Sequence, residues 1–316
     1  MNVVVTGSIA FDYIMSFPGR FSEHLLPEQL KHISLSFLVD SMKKQRGGCA
    51  ANIAYNLALL GERPLLMATA GQDFGEYRKW LDQHGVDTST VREYPDEFTS
   101  SFFVSTDLDQ SQIASFYIGA MGRAGELSFK ALNPRPDIVI ISPNDPKAMT
   151  QYVRECKELS IRYIYDPSQQ IVRLSDEELR EGIAGSAITI TNDYEFEMLR
   201  NRLHMDEAAF LDCAQVLIVT RGADGSTILT RAQRYDIPAV LTARPIDPTG
   251  VGDAYRAGLI RGLALGLPWD TIGRVAALAA TYVMENHGPQ NHQYTREEFV
   301  QRYRTHFGNG GLEGLK

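Results

Sequence analysis

The sequence predicts an open, mostly parallel α/β sheet with helices on both faces. Short apolar, β-branched runs recur at 3–6, 137–141, 162–165, 187–191 and 216–220. Helical patterns lie between or after several of them, at 50–60, 147–159, 194–203, 254–265 and 271–284. Strands alternating with helices are the pattern of parallel pairs joined by crossover helices. The chain has 316 residues, 44% hydrophobic and 22% charged, which suits one large α/β unit or two modest domains with a substantial interior.

The run 3–6 opens the order as a first strand. The residues around it, Met1-Asn2-Val3-Val4-Val5-Thr6-Gly7, lack the charged start, long apolar stretch and cleavage site of a leader. No apolar run approaches the roughly 20 residues of a membrane span. Two later stretches break the strand–helix rhythm. One runs from Tyr13 to Arg46 and contains the strand-like His32-Ile33-Ser34-Leu35-Ser36-Phe37-Leu38-Val39. The other runs from Phe98 to Gly119 and contains strand-like patterns at 100–106 and 113–118. Neither leads into a crossover helix, so 13–46 and 98–119 read as two insertions that build a small separate β lid. Residues 1–12, 47–97 and 120–316 are left as the large α/β domain. The tail from Gly308 onward reads as frayed.

Charge and cysteine content narrow the classes of function. The net charge of −8 lacks the basic excess expected of a nucleic-acid or membrane surface. Three widely spaced cysteines, Cys49, Cys156 and Cys213, form no Cys-x-x-Cys pair and no even disulfide set, which fits a reducing cytoplasm. The seven histidines show no metal-ligand spacing. The chain contains no G-x-x-x-x-G-K-[ST] loop and no H-R-D loop. After the first strand, Gly7-Ser8-Ile9-Ala10-Phe11-Asp12 lacks the second and third glycines of a dinucleotide fingerprint, which argues against an oxidoreductase.

Open parallel sheets bind ligands at the carboxyl ends of their strands. Here those ends carry Gly7-Ser8 with Asp12 beyond, Asn144-Asp145, Asp166-Pro167-Ser168-Gln169-Gln170, Asn192-Asp193 and Arg221-Gly222. Each alone could be a cap or a turn; their shared location makes the set a candidate site. The most informative run is Asp247-Pro248-Thr249-Gly250-Val251-Gly252-Asp253, directly before the helical pattern Ala254-Tyr255-Arg256-Ala257-Gly258-Leu259-Ile260. Gly250, Val251 and Gly252 would present free N–H groups at a helix N-terminus, which is an anion site. An acid at Asp253 would repel a bound phosphate. It gains a purpose if it takes a proton from an alcohol while the amides hold a transferring phosphoryl group. The plain alternative is an aspartate that merely favours the helix dipole.

Two long motifs carry a family resemblance. Gly47-Gly48-Cys49-Ala50-Ala51-Asn52-Ile53-Ala54 resembles the first signature of the ribokinase (PfkB) carbohydrate-kinase family, and 247–258 resembles the second, in the right order along the chain. Val251 departs from the small residue common there. Thr191-Asn192-Asp193-Tyr194-Glu195 resembles the family's Asn-x-x-Glu motif, and Val219-Thr220-Arg221-Gly222-Ala223-Asp224-Gly225 its nucleotide loop. Within the family, Phe17-Pro18-Gly19-Arg20-Phe21-Ser22, Ser34-Leu35-Ser36-Phe37-Leu38-Val39 and Gln112-Ile113-Ala114-Ser115-Phe116-Tyr117-Ile118-Gly119-Ala120-Met121 resemble the bacterial adenosine kinases, with Ile118 in place of the usual proline.

The resemblance implies a ribokinase-like three-layer α/β/α sandwich with a β lid. It implies transfer of phosphate from ATP to the 5′-hydroxyl of adenosine, with Asp253 as base and the amides of Gly250, Val251 and Gly252 as anion hole. Asp12, Gly48 and Asn52 would hold the ribose, while Phe102 and Phe116 would sandwich the purine. Ser8, Ser36, Gln169 and Gln170 would add polar contacts. Asn192, Thr220, Gly222, Gly225 and Arg173 would face ATP, and Glu195 the Mg2+. Relatives hold a monovalent cation, K+, where Asp247 and Thr249 stand, and pair through their lids as homodimers. Three alternatives stay open: a broader purine nucleoside kinase accepting inosine or guanosine, a sugar kinase acting on ribose or fructose, and a catalytically silent nucleoside-binding protein on the same scaffold.

Overall fold

The structure is a computed structural model that describes residues 1–25, 34–308 and 310. Its centre is an eight-stranded sheet. Six neighbouring strands run parallel, in the order Val216–Thr220, Ile188–Asn192, Arg162–Tyr165, Ile138–Ile141, Val3–Thr6 and Leu65–Met67. Ser226–Thr230 and Arg234–Ile237 extend the edge beyond Val216–Thr220 as antiparallel strands. Strands buried on both faces read as unbroken apolar runs. Val3–Thr6 and Ile138–Ile141 are buried throughout.

Alternate side chains go to opposite cores. Val3, Val5, Ile138 and Ile140 enter one, with the helices Cys49–Leu59, Val251–Ala264, Trp269–Met284 and Arg296–Phe307. Val4, Val139 and Ile141 enter the other, with Pro146–Glu158, Asp176–Ile183, Asp193–Leu203 and Glu207–Cys213. This three-layer arrangement is the expected one. No helix among the described residues is long and apolar enough to cross a membrane.

A second sheet of four strands stands beside the first, in the order Ser41–Gly47, Ala10–Ser16, Ser100–Thr106 and Gln112–Tyr117. Its latter two strands fall where the alternating patterns put them. Its first two do not. The expected strand at 32–39 is not formed over 34–39, and His32 and Ile33 lie outside the described residues. Phe37 explains the difference: its ring packs edge-on against Phe17 and Phe21, each 5.0 Å away, so the apolar alternation serves an aromatic cluster and not a ladder. The strand is supplied instead by the polar Ser41–Gly47, whose Lys43, Lys44 and Arg46 suit an exposed sheet edge. The expected fraying after Gly308 concerns residues that lie outside the described ones, Gly310 excepted.

Candidate active site

The helix Val251–Ala264 begins where Gly250 turns into the left-handed region, at φ 82°. A side chain there would also strike Pro289, 2.4 Å from the Cβ position, so glycine is required twice over. The Val251 N–H closes a turn onto the Pro248 carbonyl at 3.3 Å. Of the three expected amides, Val251 is thus the one that also holds a backbone turn. The N–H groups of Gly250, Gly252 and Asp253 take no backbone partner among the described residues, which leaves donors free at this helix start.

Asp253 is in the first turn of this helix. Asn52, buried in the helix Cys49–Leu59, donates its Nδ2 to Asp253 Oδ2 at 2.8 Å. That contact joins the two signature motifs across the chain. Burial pushes the Asp253 carboxyl up to about 7; Arg256 and the Asn52 amide pull against this, while Asp166 and Asp12 add to it. A carboxylate that ionises near neutrality is matched to general-base work.

Beside it, Arg256 clamps Asp166 through two hydrogen bonds, Nη2 to Oδ1 at 2.6 Å and Nε to Oδ2, and its Nη1 donates to the Gly252 carbonyl at 2.9 Å. Both side chains are buried. Burial opposes the guanidinium charge, yet Asp166 more than offsets this and the Arg256 pKa is raised. Arg256 therefore ties the strand end at Tyr165 to the glycine turn. No motif assigns Arg256 a role, although a single arginine among Ala254, Tyr255, Ala257, Gly258 and Leu259 is a legible signal.

A cavity of about 640 Å³ runs from Asp253 along the strand ends. Gly250, Val251, Gly252, Asn192, Glu195, Thr220, Gly222, Gly225 and Gln169 all line it. Asn192 and Glu195 cap their own helix reciprocally: Glu195 N–H donates to Asn192 Oδ1 at 2.7 Å and Asn192 N–H to Glu195 Oε2 at 2.8 Å. Ser168 Oγ donates to Glu195 Oε1 at 3.0 Å. The far wall is apolar, from Val240, Leu241 and one helix face bearing Ala277, Ala280, Thr281 and Met284. Their spacing is the i, i+3, i+4, i+7 of a helical stripe, which in sequence cannot be told from core.

The second sheet sets another row of side chains at the same end. Its register pairs Gln45 with Asp12, Asp12 with Phe102, and Phe102 with Phe116, so all four share one face. The two phenylalanines are adjacent on that face and not opposed across a gap, so they form one aromatic wall and not the two sides of a sandwich. Phe116 is 50% exposed. Asp12 lies against Gly47, where a Cβ would stand 2.6 Å from Oδ2. Burial, with Asp247 nearby, raises the Asp12 pKa to about 6. Gly48 adopts φ 93°, and a side chain there would strike the Ser8 carbonyl.

Other expected residues are placed elsewhere. Ser8 Oγ accepts from the Cys49 N–H at 3.0 Å, so it serves the start of a helix. Gln170 is buried away from the cavity, which Gln169 lines instead. Arg173 is exposed at the end of the turn Ser168–Val172 and is not among the cavity residues. Ser36 is exposed in an irregular stretch. Both Asp247 oxygens already accept backbone N–H groups, Oδ1 from Thr249 and Oδ2 from Gly288, each at 2.9 Å.

A carboxylate beside the N-terminus of a helix, with a cavity leading away from it between polar strand ends and an apolar wall, fits a phosphotransferase acting on an alcohol. Residues 3–296 match the pfkB family of carbohydrate kinases, and the chain belongs to that family. A nucleoside kinase of Methanocaldococcus jannaschii is 30% identical over 310 residues, 96% of this chain and 97% of the relative. The solved structure of a Burkholderia thailandensis nucleoside kinase in complex with inosine is 37% identical, with a TM-score of 0.87 and coverage of 98% and 99% of the two chains. The same kinase in complex with ADP-inosine superposes with a TM-score of 0.85 at 38% identity, covering 97% and 96%.

Proposed function

We propose that this protein is an ATP-dependent purine nucleoside kinase with a broader acceptor range than adenosine alone. The observation that carries the reading is the row Asp12, Phe102, Phe116, which meets Asn52 and Asp253 at one end of the sheet. A carboxylate and an amide suit a cis-diol. An aromatic wall beside them suits a flat base, and a free sugar would leave it idle. The similarity to kinases named for nucleosides, one of them bound to inosine, favours the broader range over an adenosine-specific enzyme.

In this mechanism the nucleoside 5′-hydroxyl gives its proton to Asp253 as its oxygen bonds to the γ-phosphorus of ATP. The bond from that phosphorus to the β-phosphate oxygen breaks, and the products are a nucleoside 5′-phosphate and ADP. The Gly250 and Gly252 amides stabilise charge on the transferring group. The nucleotide lies between the strand-end polar residues and the apolar wall of Val240, Ala277 and Ala280. Among the described residues no group of three or more acidic, histidine or cysteine side chains could cage a metal. One carboxylate, Glu195, fits a Mg2+ that keeps its waters and is carried by the phosphates. Bound there, the ion would neutralise phosphate charge.

The other face of the second sheet supports a homodimer reading. Tyr13 stacks on Phe103 at 4.7 Å, and Met42, Phe103, Ile113 and Tyr117 are exposed on that side. A mass by light scattering at micromolar concentration checks this; a monomer removes it. Three free cysteines fit a cytoplasmic setting.

The deciding experiment compares phosphorylation of adenosine, inosine, guanosine, cytidine, ribose and fructose 6-phosphate under one ATP concentration. Comparable turnover of adenosine and inosine, both far above the sugars, is expected. Sugar turnover equal to or above that of the nucleosides would overturn the reading.

A further inference from the structure

A buried polar chain runs behind the proposed base and passes through two residues that neither signature contains. Gln290, 2% exposed, donates its Nε2 to Asn52 Oδ1 at 2.9 Å and to the Tyr77 phenol oxygen. Tyr77 in turn donates to the Gly47 carbonyl at 2.9 Å. Asn52 donates to Asp253 Oδ2 at 2.8 Å.

The direction of every bond in this chain follows from its ends. The Gly47 carbonyl can only accept, so it takes the single phenol proton of Tyr77. The Tyr77 oxygen can then only accept, and Gln290 must turn its nitrogen toward it. The second proton on that nitrogen goes to the nearby Asn52 oxygen. Asn52 is left with its NH2 facing Asp253, which as a carboxylate can only accept. Gln290 keeps this orientation although its own Oε1 is buried without a partner. The arrangement is therefore imposed by its neighbours.

We propose that Gln290 is a positioning residue for the base: with Tyr77 behind it, it fixes which end of the Asn52 amide faces Asp253. Without this constraint the Asn52 amide can rotate and turn its carbonyl toward the carboxylate, which repels the charged form. A donor facing a carboxylate lowers its pKa, and an acceptor facing it raises the pKa. Gln290 thereby keeps Asp253 within reach of ionisation at neutral pH, against the burial that pushes it up. Gln290 comes from the segment after the helix Trp269–Met284, far from both signatures in sequence. It acts through Asn52 and needs no contact with substrate.

The inference rests on the assignment of Asp253 as base, so its test needs a readout independent of turnover. The carboxyl carbon of Asp253 is titrated by 13C NMR in the substrate-free protein, with Asp253→Asn identifying the signal. Gln290→Met keeps bulk and removes both donors; the Asp253 midpoint is expected to rise by about one pH unit or more. Tyr77→Phe should move it the same way by less. The low-pH limb of kcat/KM should shift in parallel, with turnover recovering at high pH. An unmoved midpoint in a folded Gln290→Met, or in Tyr77→Phe should the first variant not fold, overturns the positioning role. A shifted midpoint in a protein that phosphorylates no nucleoside would leave the polar chain intact and remove the functional reading instead.

Discussion

The two regions that meet at Asp253 are built in opposite ways. The phosphate end is half-buried, made from helix starts on the main sheet, and held by turns, caps and one buried ion pair: Gly250 turns the chain, Arg256 grips Asp166 and Gly252, and Asn192 and Glu195 cap one helix. The face of the second sheet is open, and its row of Gln45, Asp12, Phe102 and Phe116 comes from four strands aligned only by register. In the proposed function the first region moves the phosphoryl group whatever the acceptor, and the second distinguishes acceptors. Mutations at the first should strike turnover or folding, and mutations at the second should strike apparent affinity.

The sharpest way to break that division is at the base. Asp253→Asn should lower kcat by about 10²–10⁴-fold while nucleoside binding, followed by calorimetry, survives. Near-normal turnover would end the assignment. Next in size is Arg256→Met, which leaves the buried Asp166 carboxylate unpaired. A loss of about 3–5 kcal/mol is expected in urea unfolding, with Asp166→Asn in the same chain recovering part of it. Phe116→Ala should raise the KM for nucleosides by roughly 5–150-fold, the equivalent of about 1–3 kcal/mol of stacking, and leave the KM for ATP unchanged. An equal effect on both would show that the sheet face does not discriminate as described.

The smallest effects concern pH. With Asp253 ionising near 7, kcat/KM should fall about tenfold per pH unit below that point. Stability has the opposite sign. The folded carboxyl at about 7 holds its proton above the ordinary 3.8, so the unfolded chain releases its proton first. Stability conferred by this group therefore declines as pH rises from about 4 to about 7 and then levels off. Asp253→Asn escapes that decline. Its Tm should exceed the wild-type value at pH 8, and the two should converge near pH 4.

Local pattern was enough wherever one element decides its own form. The apolar runs at 138–141 and 216–220 became strands because burial on both faces demands unbroken β-branched residues. The helix after Gly252 was legible from its glycine turn and apolar continuation. The pairing of the two signatures also announced a kinase family. Pattern failed where a residue's partner lies far off in the chain. Phe37 looked like a strand residue and joined Phe17 and Phe21 instead, while the polar Ser41–Gly47 was recruited as an edge strand. Arg173, expected to face the nucleotide, is exposed, while Arg256 is buried against Asp166.

The sequence by itself determined the layer order, the glycine turn and the presence of an acid beside an anion site, because these follow from burial and local backbone geometry. Tertiary structure alone decided that Asn52 would reach Asp253, that Gln290 and Tyr77 would stand behind it, and that Phe102 and Phe116 would share a face with Asp12. Those facts depend on crossover packing and strand register, in which a shift by one residue reverses every side chain.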